Sequence, residues 1–374
     1  MPAILSKNLD MGAFFMRERL RRYYIFLLTL ILAVMGQYGH FLQSKETFLA
    51  QKESFSTRLQ STNEKENRKN DTQKVYASGV PIGIYVKTEG ILVLGLQQIE
   101  GNSPAACKIK AGDYIIAFNG QKVTTKQQFI RLLQKNGEKE VILTIKRKNK
   151  KIKVKVQPVY SEKNDCYQIG VWIRNDTQGI GTVTFIRKDG TFAALGHGIS
   201  DGDIGVQFLI EGGRAYKTNI SSILKGKAGK PGEVVGTIDY TKENYLGEIY
   251  ANTNGGIFGK ITENKREFCV GQPIAVAKKS EIQTGQASIR SSISGESKEY
   301  TIEIQKVYLH EKNSLKTLKI KVTDPKLIAL TGGIIQGLSG SPILQNGKLV
   351  GAVTHVLIDN PQMGYGIFAE SMLK

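Results

Sequence analysis

An apolar run from Tyr23 to about Leu42 follows Arg17, Arg19, Arg21 and Arg22, and gives way to a polar stretch that lasts to Gln73. The run approaches the roughly 20 residues that cross a bilayer, and its positive charges lie on the N-terminal side. No small-x-small cleavage site follows it. The pattern therefore predicts an uncleaved signal-anchor helix over 23–42, with residues 1–22 in the cytoplasm and the remainder across the membrane. Residues 43–74 carry too little apolar surface to offset ordering, which predicts a polar linker.

Beyond the linker the pattern shortens. Between 75 and 160, strand-like runs surround one helical run, residues 126–134, and predict an α+β module. Its last strand shows period-two alternation, with Ile152, Val154 and Val156 on one face and Lys153 and Lys155 on the other. From 165 to 374, runs such as 171–173, 181–186 and 233–240 alternate with glycine turns, and long helical periodicity is scarce. Such spacing predicts a β-sandwich or barrel, so the chain reads as mainly β. Residues 342–345 and 348–354 flank Asn346-Gly347, a two-residue hairpin turn that needs positive φ at both centres.

At 374 residues, two globular domains plus an anchor are the natural division. A formal net charge of +19 suits an anionic partner, and a lipid surface fits an anchored chain. No cysteine-pair zinc module, RNA-binding aromatic signature or DNA-reading motif accompanies the basic residues, so nucleic acid is not an expected partner. Cys107, Cys166 and Cys269 are odd in number and lack metal-ligand spacing, and no metal or other cofactor is expected. The glycine-lysine passage at 226–232 lacks phosphate-loop spacing.

The chemistry concentrates at Gly337-Leu338-Ser339-Gly340-Ser341-Pro342. A nucleophilic serine needs a tight turn that exposes its hydroxyl beside backbone N–H groups, and Gly337 supplies the flexible residue two positions before Ser339. The expected oxyanion donors are the amides of Gly337 and Ser339. Upstream, Gly196-His197-Gly198 ends a strand-like run, which places a general base before the serine as in chymotrypsin-like peptidases. His40 lies in the anchor, His310 precedes Glu311-Lys312, and His355, beyond the hairpin strand, reads first as a structural histidine, with a place lining the cleft beside the serine hairpin as the alternative.

Residues 179–185 (Gly-Ile-Gly-Thr-Val-Thr-Phe), 195–201 (Leu-Gly-His-Gly-Ile-Ser-Asp) and 337–342 together resemble the stage IV sporulation protein B peptidases, membrane-anchored PDZ serine peptidases of endospore-forming bacteria. The resemblance implies a chymotrypsin-like double β-barrel over 165–374 and a PDZ domain over 75–160. Residues 103–106 and 109–120 resemble the PDZ passage of small helix, Gly-Asp, strand and Asn-Gly. Gly90, Ile91, Leu92 and Val93 are then expected to form the peptide-binding loop and groove strand for a PDZ peptide ligand. The third catalytic member is expected at Asp324, which keeps the His, Asp, Ser order and lies in a Thr-Asp-Pro passage similar to the family's. The competing reading is a helix-capping aspartate before a proline, with Asp201, Asp203 and Asp359 as other candidates. The resemblance further implies self-cleavage and cleavage of a membrane-bound sporulation regulator, which activates a mother-cell sigma factor. The alternative is a noncatalytic PDZ adaptor with a peptidase-like binding domain.

Overall fold

The computed structural model describes residues 73–262, 271–309 and 315–373. The expected anchor at 23–42, the linker up to residue 72, His310 and Cys269 lie outside them. Among the described residues no helix is long and apolar enough to cross a membrane.

Two long strands organise everything else. After β1 (Lys74–Ala77), β2 runs from Pro81 to Leu96 and first turns Ile82, Ile84 and Val86 into a barrel core. At Gly90 (φ 95°) it passes close to β3 (Tyr114–Phe118), and a Cβ at Gly90 would stand 2.7 Å from the Ile115 carbonyl oxygen. There follow β4 (Gln121–Lys122), α1 (Lys126–Asn136), β5 (Val141–Arg147), β6 (Lys150–Val156), β7 (Val159–Ser161) and β8 (Cys166–Gln168). The Thr125 side chain caps α1 by accepting the Gln128 N–H, and Gly137 (φ 64°) ends the helix. Phe129 and Leu133 of α1 pack with Ile91, Val93, Ile115, Phe118, Leu143 and Ile145 in a core of their own.

Then β9 (Val171–Ile186) returns along almost all of β2, pairing Leu96 with Val171 at one end and Pro81 with Thr182 at the other. The pairing joins strands from both sides of the α+β module in one sheet. The α+β module is an insertion between two strands of the first barrel, whose first strand is β2. Residues 73–374 accordingly form one compact unit.

The first barrel adds β10 (Thr191–Ala194), β11 (Ile210–Tyr216), β14 (Tyr245–Thr253) and β15 (Gly256–Ile261), while β12 (Thr218–Leu224) and β13 (Glu233–Ile238) make a separate ribbon. The pairings β2–β9–β10–β15–β14–β11–β2 close on themselves, around Val183, Phe192, Leu246, Ile249 and Ile257. After β16 (Ile274–Ala275), a second closed barrel is built from β17 (Gly285–Ser291), β18 (Lys298–Val307), β19 (Leu318–Val322), β20 (Pro342–Gln345), β21 (Lys348–Leu357) and β22 (Asn360–Phe368). Ile289, Ile302, Ile304, Ile320, Val353 and Phe368 fill it, and α2 (Pro325–Thr331) leads from β19 toward β20. The β20–β21 turn has φ of 52° at Asn346 and 73° at Gly347, the two positive values that its sequence demanded.

A chain shortened to residues 165–374 lacks β1 and β2 and leaves both edges of the first barrel unpaired. It is expected to show no cooperative thermal transition by circular dichroism, whereas residues 73–374 melt cooperatively.

Candidate active site

The serine loop follows α2, whose end is marked by Gly332 (φ 77°), and is shaped from both sides. The Gln336 carbonyl accepts the Val234 N–H at 2.9 Å, and the Leu338 carbonyl accepts the Ser341 N–H at 2.9 Å. A trans peptide points its N–H opposite its C=O, so the amides of Gly337 and Ser339 face away from those two partners. Among the described residues neither amide has an acceptor. Gly337 has φ 100°, and a Cβ there would meet Val234 Cγ2 at 2.7 Å, so both conformation and space require glycine.

Strand β9 fixes the other face of the loop. Thr182 donates its N–H to the Ser339 carbonyl at 3.1 Å and its Oγ1 to the Gly337 carbonyl at 2.7 Å, and Thr184 Oγ1 donates to the Gly340 carbonyl at 2.7 Å. The Thr182 carbonyl in turn accepts the Leu195 N–H at 3.1 Å. Leu195 and Gly196 have φ of 71° and 70°, a reversal that carries the chain out of β10 into His197. For leucine that conformation is strained, and the surrounding bonds hold it.

His197 Nδ1 lies 3.0 Å from the Gly198 carbonyl oxygen. A carbonyl only accepts, so the proton rests on Nδ1 and Nε2 keeps its lone pair, the tautomer a general base needs. Burial pushes the His197 pKa below its ordinary 6.5, partly opposed by the Gly198 hydrogen bond. Ser339 Oγ donates to the Thr354 carbonyl at 3.0 Å rather than to His197. Both side chains line one cleft of about 490 Å³, together with Ile84, Ile180, Leu195, Ile199, Ile335 and Val356. Ser341, by contrast, is buried with its Oγ unpartnered.

Asp324 is not the partner of His197. One carboxylate oxygen accepts the Lys326 and Leu327 N–H groups at 2.8 and 3.1 Å, and the other accepts the Thr301 N–H at 3.2 Å. The residue is the N-cap of α2, with Pro325 in the first turn, and the capping reading prevails. Asp201 is buried against Arg174 Nη1 at 2.6 Å and against the amides of Asp203 and Ile204. Asp203 and Asp359 are exposed. Among the described residues no carboxylate bonds to His197.

The imidazole nearest His197 is that of His355 on β21, with ring centroids 5.5 Å apart. Sequence reasoning treated His355 as structural. Its signal was its place in the strand that returns from the serine hairpin, one residue after the Thr354 carbonyl on which Ser339 rests.

The expected groove strand is also displaced. Ile91 and Leu92 pair with Ile115 and Tyr114 on one side, while Leu92 and Val93 pair with Arg174 and Ile173 on the other, so Gly90–Val93 offers no open edge. The segment beside α1 is instead β8 and the start of β9. Gln134 bonds both the N–H and the carbonyl of Tyr167, at 2.8 and 2.7 Å, and Asn175 Oδ1 accepts the Lys126 N–H at 3.3 Å.

The SpoIVB peptidase S55 model matches residues 165–373. The chain belongs to that family. It is a serine peptidase of chymotrypsin-like fold, and a PDZ domain model matches residues 98–147 within the insertion. Among solved structures, the PDZ domain of the SdrC-like protein Lin2157 from Listeria innocua is 25% identical, with 23% of this chain and 94% of that one covered and a TM-score of 0.21. The active form of the Rv3671c protease from M. tuberculosis is 13% identical over 53% of this chain and 71% of that one, with a TM-score of 0.30. The HtrA-type protease AlgW is 8% identical over 80% and 63%, with a TM-score of 0.31. No curated protein sequence matches the chain.

In this family member, Asp324→Asn retains an N-cap acceptor and is expected to turn over peptide like the parent chain. Asp324→Ala is expected to lower stability by about 1 kcal/mol, measured by denaturant unfolding, without changing kcat of the folded enzyme.

Proposed function

We propose that Ser339 is the nucleophile and His197 the general base of a membrane-tethered endopeptidase, with the Gly337 and Ser339 amides as the oxyanion hole. The observation that carries the reading is the pair of unpartnered amides, held by the Thr182 bonds, beside a base of the right tautomer. In the reaction, the Ser339 hydroxyl leaves the Thr354 carbonyl and gives its proton to His197 Nε2 as Oγ attacks the scissile carbonyl carbon. The two amides hold the resulting oxyanion. The Gly198 carbonyl accepts Nδ1–H of the imidazolium, and Nε2–H is then passed to the departing amine. Water, deprotonated by the same nitrogen, releases the acyl group from Oγ.

Among the described residues no Lys, Arg, Asp or Glu lines the cleft. Its aliphatic walls suit an apolar side chain of the substrate, since burying a charged one without a partner is costly. Family membership supports the wider role: signalling in sporulation, through cleavage of the chain itself and of a membrane-bound regulator that leads to activation of a mother-cell sigma factor. The basic-then-apolar pattern at 17–42 supports an anchor with the peptidase outside the cytoplasm, and the inserted PDZ domain supports recognition of a protein or peptide partner.

Ser339→Ala is expected to abolish both peptide cleavage and labelling by a fluorophosphonate, while Ser341→Ala retains both. Cleavage or labelling that survives in the Ser339→Ala chain would overturn the assignment. The acid limb of kcat/KM is expected below pH 6.5, because the base works only when neutral and burial holds His197 neutral to lower pH than a free imidazole. Activity is thus retained as pH falls through 6.5 and is lost only through the depressed His197 value.

A further inference from the structure

His355 lines the same cleft as Ser339 and His197, and the triad-like reading gives it no task. Its Nδ1 is buried and has no hydrogen-bond partner. A buried donor without an acceptor is costly, so the tautomer that avoids one carries its proton on the other nitrogen, Nε2. Burial, with the neighbouring His197 and Lys316 adding to it, lowers the His355 pKa to about 4, so the ring is neutral under ordinary conditions. Neutrality matters here. A cation with its ring centroid 5.5 Å from that of His197 would oppose the charge that His197 acquires during attack, whereas a neutral imidazole still offers an N–H. The backbone of the same segment already touches the nucleophile, through the Thr354 carbonyl.

We infer that His355 is a substrate-binding residue of this centre, donating Nε2–H to a backbone carbonyl oxygen of the bound peptide next to the scissile bond. The inference rests on the assignment of Ser339 and His197 and deepens it, since it adds an imidazole donor to a cleft that has no charged side chain among its described walls. The ligand class is an extended peptide, recognised through its main chain and not through a charged side chain.

The test uses the full-length chain, a quenched fluorescent peptide with aliphatic residues around the cleaved bond, and a small alkyl fluorophosphonate that has no peptide carbonyl. His355→Phe keeps a ring of similar shape and removes the donor, and His355→Gln keeps an amide N–H at similar reach. Loss of one hydrogen bond to bound peptide is expected to raise KM about tenfold in the Phe variant, with little change in kcat. The fluorophosphonate labelling rate should stay close to that of the parent chain, which also shows that the variant is folded, and the Gln variant should recover most of the lost KM. A Phe variant with unchanged KM would mean that ring shape suffices, and a Gln variant no better than Phe would mean that the N–H is not what matters. Labelling and kcat that fall together would place His355 in the chemical step or in the packing of β21. Each of these results overturns the assignment. Labelling that persists in Ser339→Ala would instead remove the underlying reading of the nucleophile.

Discussion

Thr182 is the joint on which the active site depends. It is fully buried on β9, and three of its hydrogen-bonding groups hold the site: N–H and Oγ1 reach across to the serine loop, while C=O binds, within its own barrel, the chain that leads to His197. A base and a nucleophile on different barrels are useful only if their separation is fixed to a fraction of an ångström. One residue of the first barrel holds both. Gly340 shows how close this approach is, because a Cβ there would lie 2.1 Å from the Thr182 carbonyl oxygen and 2.5 Å from the Leu195 nitrogen.

The proposed centre has no carboxylate bonded to His197 among the described residues, and in that reading backbone dipoles take over parts of its role. The Gly198 carbonyl selects the tautomer of His197, two amides await the oxyanion, and the Thr354 carbonyl receives the serine hydroxyl in the free protein. Dipoles fixed by the fold need no reorganisation when charge develops, and they act more strongly in a cleft than in open water. A full negative charge would stabilise the imidazolium more than a carbonyl does. The exchange of a carboxylate for a carbonyl gives a milder base in a more apolar pocket.

Features set by neighbours along the chain were legible in the sequence. Asn346-Gly347 could only be a tight hairpin turn, and Gly337 two positions before Ser339 called for the left-handed conformation that it has. Asp324 shows the limit of motif order. Its local signals, an aspartate directly before proline and a short helical run, were sufficient to specify a cap, while its position between His197 and Ser339 carried no information about distance. The insertion was hidden for a related reason. Ile82-Gly83-Ile84 reads as a strand, but nothing in it says that its partner is Gly179-Ile180-Gly181, far along the chain. His355 read first as structural, with a place in the cleft as the other reading, because its proximity to His197 arises from the packing of two barrels.

The nested arrangement of β2 and β9 also constrains how the chain reaches this structure. During synthesis, Ile82, Ile84 and Val86 emerge well before the β9 residues that cover them, and an unpaired apolar strand edge invites aggregation. The intervening segment has its own core and helix cap, and its contacts are more local than those of the barrel. Once it condenses, it brings Leu96 and Val171 together and turns a long loop closure into the zipping of two adjacent strands. The inserted domain thereby serves as a clamp for the nascent barrel, a use for it that requires no bound peptide.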